Sequence, residues 1–204
     1  MITIVDYKAG NLTSVKRALD HLGIPAQISK DPETVRKAER IIFPGVGHAG
    51  AAMEVLSSRG LASALQEVFN RGVPILGICI GCQIILDYSE EGDTPGLGLI
   101  PGICTRFQLQ NPSLKIPHMG WNAVTVTQPH PVLAHLKPGD AFYFVHSYYP
   151  QPKDTACVFA TCEYEVTFPV AIGLDNLFAV QFHAEKSGPL GLQVLENFSR
   201  WNPC

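Results

Sequence analysis

Cys79 stands between two glycines in the run Gly77-Ile78-Cys79-Ile80-Gly81-Cys82-Gln83, directly after the apolar segment Val73-Pro74-Ile75-Leu76. A cysteine on a sharp strand-to-helix turn is the sulfur counterpart of a serine nucleophile elbow, and glycines are needed where the backbone crowds itself. The N-terminus of a following helix adds a positive partial charge that favours a thiolate. A free cysteine is mostly protonated at neutral pH, so a base is expected nearby. One is offered far downstream in Val180-Gln181-Phe182-His183-Ala184-Glu185-Lys186-Ser187-Gly188. His183 and Glu185 stand two apart at the end of an apolar strand, where extended geometry puts alternate residues on one side. The carboxylate can then hold the imidazole in its useful tautomer, as the third member of a catalytic triad does.

Other chemistries fit the same cysteines less fully. Cys79 and Cys82 form a C-x-x-C pair after a strand, which suits a thioredoxin-like redox couple but leaves Gly77 and the distant His-x-Glu without a role. A zinc site from Cys79, Cys82, Cys157 and Cys162 lacks a compact knuckle around its second pair. A buried, inert Cys79 is the plainest alternative. The nucleophile reading accounts for the most residues.

These groups must be mounted on something. Ile2–Val5 reads as an apolar strand, followed by a loop at Asp6–Gly10 and a helix with Leu12, Val15, Leu19 and Leu22 on one face, closed by Gly23. Ala26–Ser29 and Arg40–Phe43 read as strands, and Pro44-Gly45-Val46-Gly47 breaks the chain. Helices are expected over Ala49–Ser58 and Leu61–Asn70, a buried strand over Val73–Ile78, and a helix from about Gly81 to Tyr88. Such alternation argues for a parallel sheet with helices on both faces. In an open sheet of this kind, sites form where strands end and helices begin.

The second half changes character. Asn122–Thr127, Phe142–Val145, Ala156–Cys162, Val170–Ile172 and Leu177–Phe182 are strand-like, with a hairpin turn at Gly173–Asn176. A last helix is expected from about Pro189 to Trp201. The predicted fold is therefore α/β, with a mixed, mostly parallel central sheet and helices on both faces. No repeat, low-complexity segment or linker divides residues 1–204, which predicts one domain.

Composition narrows the classes. The chain has 204 residues, 46% hydrophobic and 16% charged, with a formal net charge of −3. That describes a globular protein with no basic field for nucleic acid. Its apolar runs are strand-sized, short of the roughly 20 residues that span a bilayer. Met1–Asp6 lacks the basic flank and cleavage site of a signal peptide, so a cytoplasmic location is expected. Six cysteines without an export signal do not suggest a disulfide framework.

Gly-x-Cys-x-Gly-x-Gln with a distant His-x-Glu resembles the class I glutamine amidotransferases. "DYKAGNLTSVKRAL", "FPGVG", "PHMGWN", "YFVHSYY" and "FHAEKSG" narrow the likeness to the glutaminase subunits of imidazole glycerol phosphate synthases. The resemblance runs in order from residue 6 to 188. It implies a flavodoxin-like amidotransferase fold over 1–204, with Cys79 as nucleophile, His183 as general base and acid, and Glu185 as orienter. It places Gln83 beside the substrate glutamine, Ser147 and Tyr148 at the amino-acid end, and Gly45, Val46 and Gly47 in the oxyanion segment. Asn11, His118, Trp121 and Asn122 fall in segments that face a partner, and Lys186 is added to that interface.

On their own, these residues have plainer readings. Pro44–Gly47 is an ordinary strand-to-helix turn, Gln83 a helix-surface amide, and Trp121 or Asn122 part of core or turn. Two departures stand out. Ala184 replaces the family's proline and removes a rigid φ constraint; Ile80-Gly81-Cys82 replaces Leu-Gly-Met. The implied partner is a (β/α)₈-barrel cyclase that takes up ammonia, because the chain has no Walker-type glycine loop and no second domain. Neither metal nor cofactor is required, since thiolate, imidazole and backbone donors suffice. The rivals are a glutaminase of another pathway, such as anthranilate or aminodeoxychorismate synthesis, and a non-catalytic interaction module with an inert triad.

Overall fold

Strand β1 (Ile2–Val5) is buried at every position, as a strand in the middle of a helix-covered parallel sheet must be. The computed structural model describes residues 1–8 and 10–203. Ala9 of the "DYKAGN" run and Cys204 lie outside the described residues. After β1 come α1 (Leu12–His21), β2 (Ala26–Ser29), α2 (Pro32–Arg36), β3 (Ile41–Gly45), α3 (Ala49–Ser58), α4 (Leu61–Asn70), β4 (Ile75–Cys79) and α5 (Ile80–Gln83). The second half holds β5 (Leu86–Ser89), β6 (Thr94–Pro95), β7 (Ile100–Arg106), β8 (His118–Val126), β9 (Ala141–His146), β10 (Tyr148–Pro152), β11 (Val158–Tyr164), β12 (Val166–Leu174), β13 (Leu177–Val180) and α6 (Gly188–Arg200). Among the described residues no helix is long and apolar enough to cross a membrane.

The main sheet has nine strands in the order β2-β1-β3-β4-β13-β12-β11-β8-β9. Strands β2 through β13 in that order run parallel; β13 through β9 pair antiparallel. The sheet is mixed, as expected, with its two kinds of pairing equal in number and the parallel half carrying the elbow. Side chains alternate across that half with the strand period. Ile2, Ile4, Ile42, Leu76, Ile78, Phe178 and Val180 join Val15 and Leu19 of α1 and Val194, Leu195 and Phe198 of α6. Val5, Ile41, Phe43, Ile75, Leu177 and Ala179 face the other way, onto α2, α3 and α4. Helices thus cover both faces.

Two differences from the sequence reading have local causes. The helix expected to Tyr88 stops after one turn. Its carbonyls are taken by the loop that returns beside it: Ile84 O accepts from Leu97 N at 2.8 Å and Ile85 O from Leu99 N at 2.8 Å. The chain then enters β5, part of an unforeseen four-stranded sheet of order β10-β7-β5-β6. Ile84-Ile85-Leu86 is buried throughout, and a short apolar run does not tell a strand from a buried helix by periodicity. The expected hairpin does form. Leu174 pairs with Leu177, Asp175 takes φ 51°, and Asn176 Nδ2 donates to Phe69 O (3.1 Å) and Val73 O (2.6 Å).

The short α5 lies hard against β3. A Cβ on Gly81 would sit 2.0 Å from Phe43 O, a backbone atom that cannot step aside. Gly81→Ala is expected to lower the unfolding free energy by about 2 kcal/mol or more, measured by urea denaturation. Wild-type stability would mean that α5 is free to lift from the sheet.

Candidate active site

Strand β4 delivers Cys79 to the C-terminal edge of the parallel sheet, where it pairs with Gly45 of β3. Its backbone angles are φ 56° and ψ −107°, a costly conformation for a residue with a Cβ and one that persists only where the surroundings impose it. The two glycines supply that frame. A Cβ on Gly77 would stand 2.9 Å from both Ala179 Cβ and Gly81 O. The sharp turn predicted from the sequence is present, although the helix after it is a single turn and offers only its first N–H groups.

His183 and Glu185 meet through a turn rather than along a strand. Strand β13 ends at Val180, and Ala184–Lys186 forms a 3₁₀ turn. That turn brings Glu185 Oε1 to 2.7 Å from His183 Nδ1, with both side chains fully buried. The absence of a proline at 184 has not opened the segment. Ser187, which carried no signal in the sequence, staples it: its hydroxyl donates to His183 O (2.6 Å) and accepts from Tyr143 N (3.0 Å). Asn11 Nδ2 donates to Glu185 Oε1 and lies 3.5 Å from His183 Nδ1. The residue read as a partner contact therefore also touches the buried carboxylate.

Among the described residues His183 Nε2 has no hydrogen-bond partner. Burial pushes the imidazole toward its neutral form; the neighbouring Cys79 and Glu185 outweigh it and raise its pKa to about 10. Gln181, buried beside them, directs Nε2 at Cys79 Sγ from 3.9 Å. The other described cysteines are silenced. Burial pushes the Cys82 and Cys104 thiols well up, raises Cys157, and takes Cys162 to about 12. Cys82 is thus a protonated core residue rather than half of a reactive pair.

A cleft of about 260 Å³ opens over the elbow, and Val46, Gly47, Cys79, Gln83, Ser147 and Tyr148 contribute to its lining. Gln83 is buried, contrary to a surface amide. Its Nε2 donates to Tyr148 O (2.9 Å) and Gln181 Oε1 (3.0 Å), which turns its carbonyl oxygen into the acceptor offered to a ligand. Glu91 also lines the cleft, fixed by the amide of Ala49 at 2.7 Å. The sequence reading missed it because only the second sheet brings that loop to the elbow. Gly45 is a glycine for lack of room, since a Cβ there would fall 1.9 Å from Tyr7 Oη and 2.1 Å from Ile80 Cγ2. Gly47 is one for its conformation, with φ 113° and open space around it.

The residues assigned to a partner surface divide in two. Trp121 is 59% and neighbouring Met119 62% exposed. Trp121 packs edge-on to Tyr143, whose ring lies 5.8 Å from Lys186 Nζ. These residues make an apolar, cationic ridge beside the His183 turn. His118 is not on it, being only 3% exposed. It sits instead in a directed hydrogen-bond chain. His146 Nδ1 donates to Tyr148 O (2.7 Å), so the neutral ring accepts at Nε2 from His118 Nδ1 (2.9 Å). His118 Nε2 accepts in turn from Asn122 Nδ2 (3.3 Å). Burial lowers the His118 and His146 pKa values to about 4 and about 3, which keeps both rings neutral.

The chemistry open to a sulfur, an imidazole and a carboxylate in this order is acyl transfer to the sulfur, with the imidazole carrying the proton. On this sheet, that site defines a cysteine-dependent amidotransferase. The chain belongs to the glutamine amidotransferase class-I family, whose model matches residues 3–200. It is 51% identical to the imidazole glycerol phosphate synthase subunit HisH of Nitratidesulfovibrio vulgaris (strain DP4), over 98% of this chain and 96% of that one. It is 47% identical to HisH of Moorella thermoacetica, over 97% and 93%. Among solved structures, PurLQS from Thermotoga maritima matches with a TM-score of 0.74 at 21% identity, over 97% of this chain and 96% of that one. The likeness of fold thus persists where most of the sequence has diverged.

The raised His183 value has a testable sign. The stability it lends is complete below the ordinary value of 6.5 and is lost as pH climbs through about 10. NMR titration of the ring should find it protonated to about pH 10, and Cys79→Ala should move the titration down. A value near 6.5 that Cys79→Ala leaves in place would show that sulfur and imidazole do not share a proton.

Proposed function

We propose that this chain is the glutaminase subunit of an imidazole glycerol phosphate synthase, acting as one amidotransferase domain over residues 1–204. The observation that carries the reading is the half-identity to subunits of that synthase across nearly the whole of both chains. The cleft geometry supports it.

Glutamine enters with its side-chain amide over Cys79, its carboxylate end near Ser147 and Tyr148, and its ammonium toward Gln83 Oε1 and Glu91. Cys79 Sγ attacks the amide carbon. Backbone N–H groups of the Gly45–Gly47 segment take the developing negative charge on oxygen, where a fixed donor is worth most. His183 gives a proton to the departing nitrogen, which leaves as ammonia, and a glutamyl thioester remains. His183 then takes a proton from water as it attacks the thioester, and returns that proton to sulfur as glutamate leaves. Glu185 and Asn11 orient the ring throughout. Thiolate, imidazole and backbone supply every step without a cofactor.

The ammonia goes to a (β/α)₈-barrel cyclase bound over the Trp121–Lys186 ridge, with Asn11, Asn122 and, from inside, His118 behind that face. The cyclase uses it with a ribulosyl ribonucleotide to make imidazole glycerol phosphate and aminoimidazole carboxamide ribonucleotide. Free ammonia is mostly protonated at neutral pH, so transfer runs through a closed route between the subunits, in the cytoplasm. Wasteful hydrolysis is held back until the partner is loaded, by keeping the Gly45–Gly47 donors turned away.

The chain alone should hydrolyse glutamine very slowly, and the barrel subunit with its nucleotide should raise the rate by orders of magnitude. Fast hydrolysis that ignores the partner would make this a stand-alone glutaminase. In the complex, Cys79→Ala should abolish glutamine-dependent synthesis and spare synthesis from ammonium salts at high pH, whereas Cys82→Ala keeps most of the activity. Glu185→Gln should lower kcat roughly 100-fold or more with little change in glutamine binding. Steady-state kinetics at saturating nucleotide reads both; a Glu185→Gln variant with full turnover would assign the orienting task to Asn11.

A further inference from the structure

Tyr7 lies just beyond β1, only 1% exposed, with its ring 5.0 Å from that of Phe43. Its hydroxyl is one of three buried side-chain polar atoms without a hydrogen-bond partner among the described residues. The other two, His183 Nε2 and Glu185 Oε2, belong to the triad. An unpaired buried hydroxyl is costly, and a phenylalanine would fill the same space without the cost. Packing therefore accounts for the ring and not for the oxygen.

That oxygen rests on Gly45, at 1.9 Å from where a Cβ would be. The segment that Gly45 begins is a partition. Val46 and Gly47 line the cleft over Cys79 on one side. On the other they line a second cavity of about 290 Å³, walled also by Tyr7, Lys8, His48 and Val55. A peptide with space on both sides can rotate. Its N–H and C=O point in opposite directions, so turning Val46 N–H into the cleft turns Gly45 C=O out of it. In the ladder, where Gly45 pairs with Cys79, the Gly45 C=O faces β4, and once turned away from it into the protein it requires a new donor.

We propose that the Tyr7 hydroxyl is that donor, a positioning residue that holds the Gly45–Val46 peptide with Val46 N–H aimed at the substrate's amide oxygen. This rests on the reading of Gly45–Gly47 as the oxyanion segment. Burial and then the nearby Cys79 push the phenol's pKa well up, so the group stays protonated and able to donate at any working pH.

Tyr7→Phe removes the oxygen and keeps the ring. In the complex with the barrel subunit and its nucleotide, kcat for glutamine should fall roughly tenfold, the effect of about one lost hydrogen bond, with KM unchanged. Alkylation of Cys79 by iodoacetamide and ammonia-dependent synthesis should keep their rates, and the thermal midpoint should hold or rise because an unpaired polar atom is gone. An unchanged kcat overturns the proposal. So does a loss accompanied by slower alkylation, a higher KM or a lower midpoint, which places the effect in the thiol, in binding or in folding. The unaltered complex is the control: if it does not hydrolyse glutamine, the glutaminase reading itself falls, and the proposal with it.

Discussion

The pairing of Gly45 with Cys79 across β3 and β4 is the contact from which the site is built. Parallel strands end at one edge of a sheet, so a single register places a backbone segment beside a nucleophile with no further device. Everything near that contact is trimmed to let it close. Gly77 makes room for Gly81, Gly81 for Phe43, and Gly45 for Tyr7 and Ile80. The strained backbone of Cys79 is the residual cost, imposed by neighbours on three sides. Strand β13 pairs with β4 on the opposite side, which brings His183 and Glu185 to the same edge from a hundred residues downstream.

How much of this the sequence disclosed depended on whether a residue's reason was local. The elbow was legible because a sharp strand-to-helix turn needs glycine on both sides of the cysteine, and few other turns do. His183 and Glu185 were legible as a pair, although the route between them was taken for extended chain and is a 3₁₀ turn. The small sheet was not. Residues 84–86 are uniformly apolar, and only the return of Leu97 and Leu99 to their carbonyls decides between helix and strand. Glu91, Gln181, Ser187 and the contact of Asn11 with Glu185 were invisible for the same reason: each acquires its partner from a distant element. His118 came with its motif and was placed on the surface by likeness; the structure puts its ring inside.

The buried polar groups divide by how completely they are satisfied. From Asn122 through His118 and His146 to the Tyr148 carbonyl, each donor has an acceptor, and Gln83 and Gln181 continue the connection to the sulfur. A network of this kind fixes ring orientation and tautomer, because reversing one member would set two donors against each other. Among the described residues the unsatisfied buried side-chain atoms gather at the triad and at Tyr7. Rigidity and reactivity are thereby kept apart within a few ångströms.

Four of the five described thiols also turn the molecule into its own reporter. Cys82, Cys104 and Cys162 are sealed in the core with their protons held on by burial, while Cys79 borders the cleft. A thiol reagent applied to the folded chain meets these four on two separate clocks. The first is set by access to the cleft and its occupant, the second by the rate at which the sheet opens. Followed at these four positions, one reagent reads both the state of the site and the integrity of the fold.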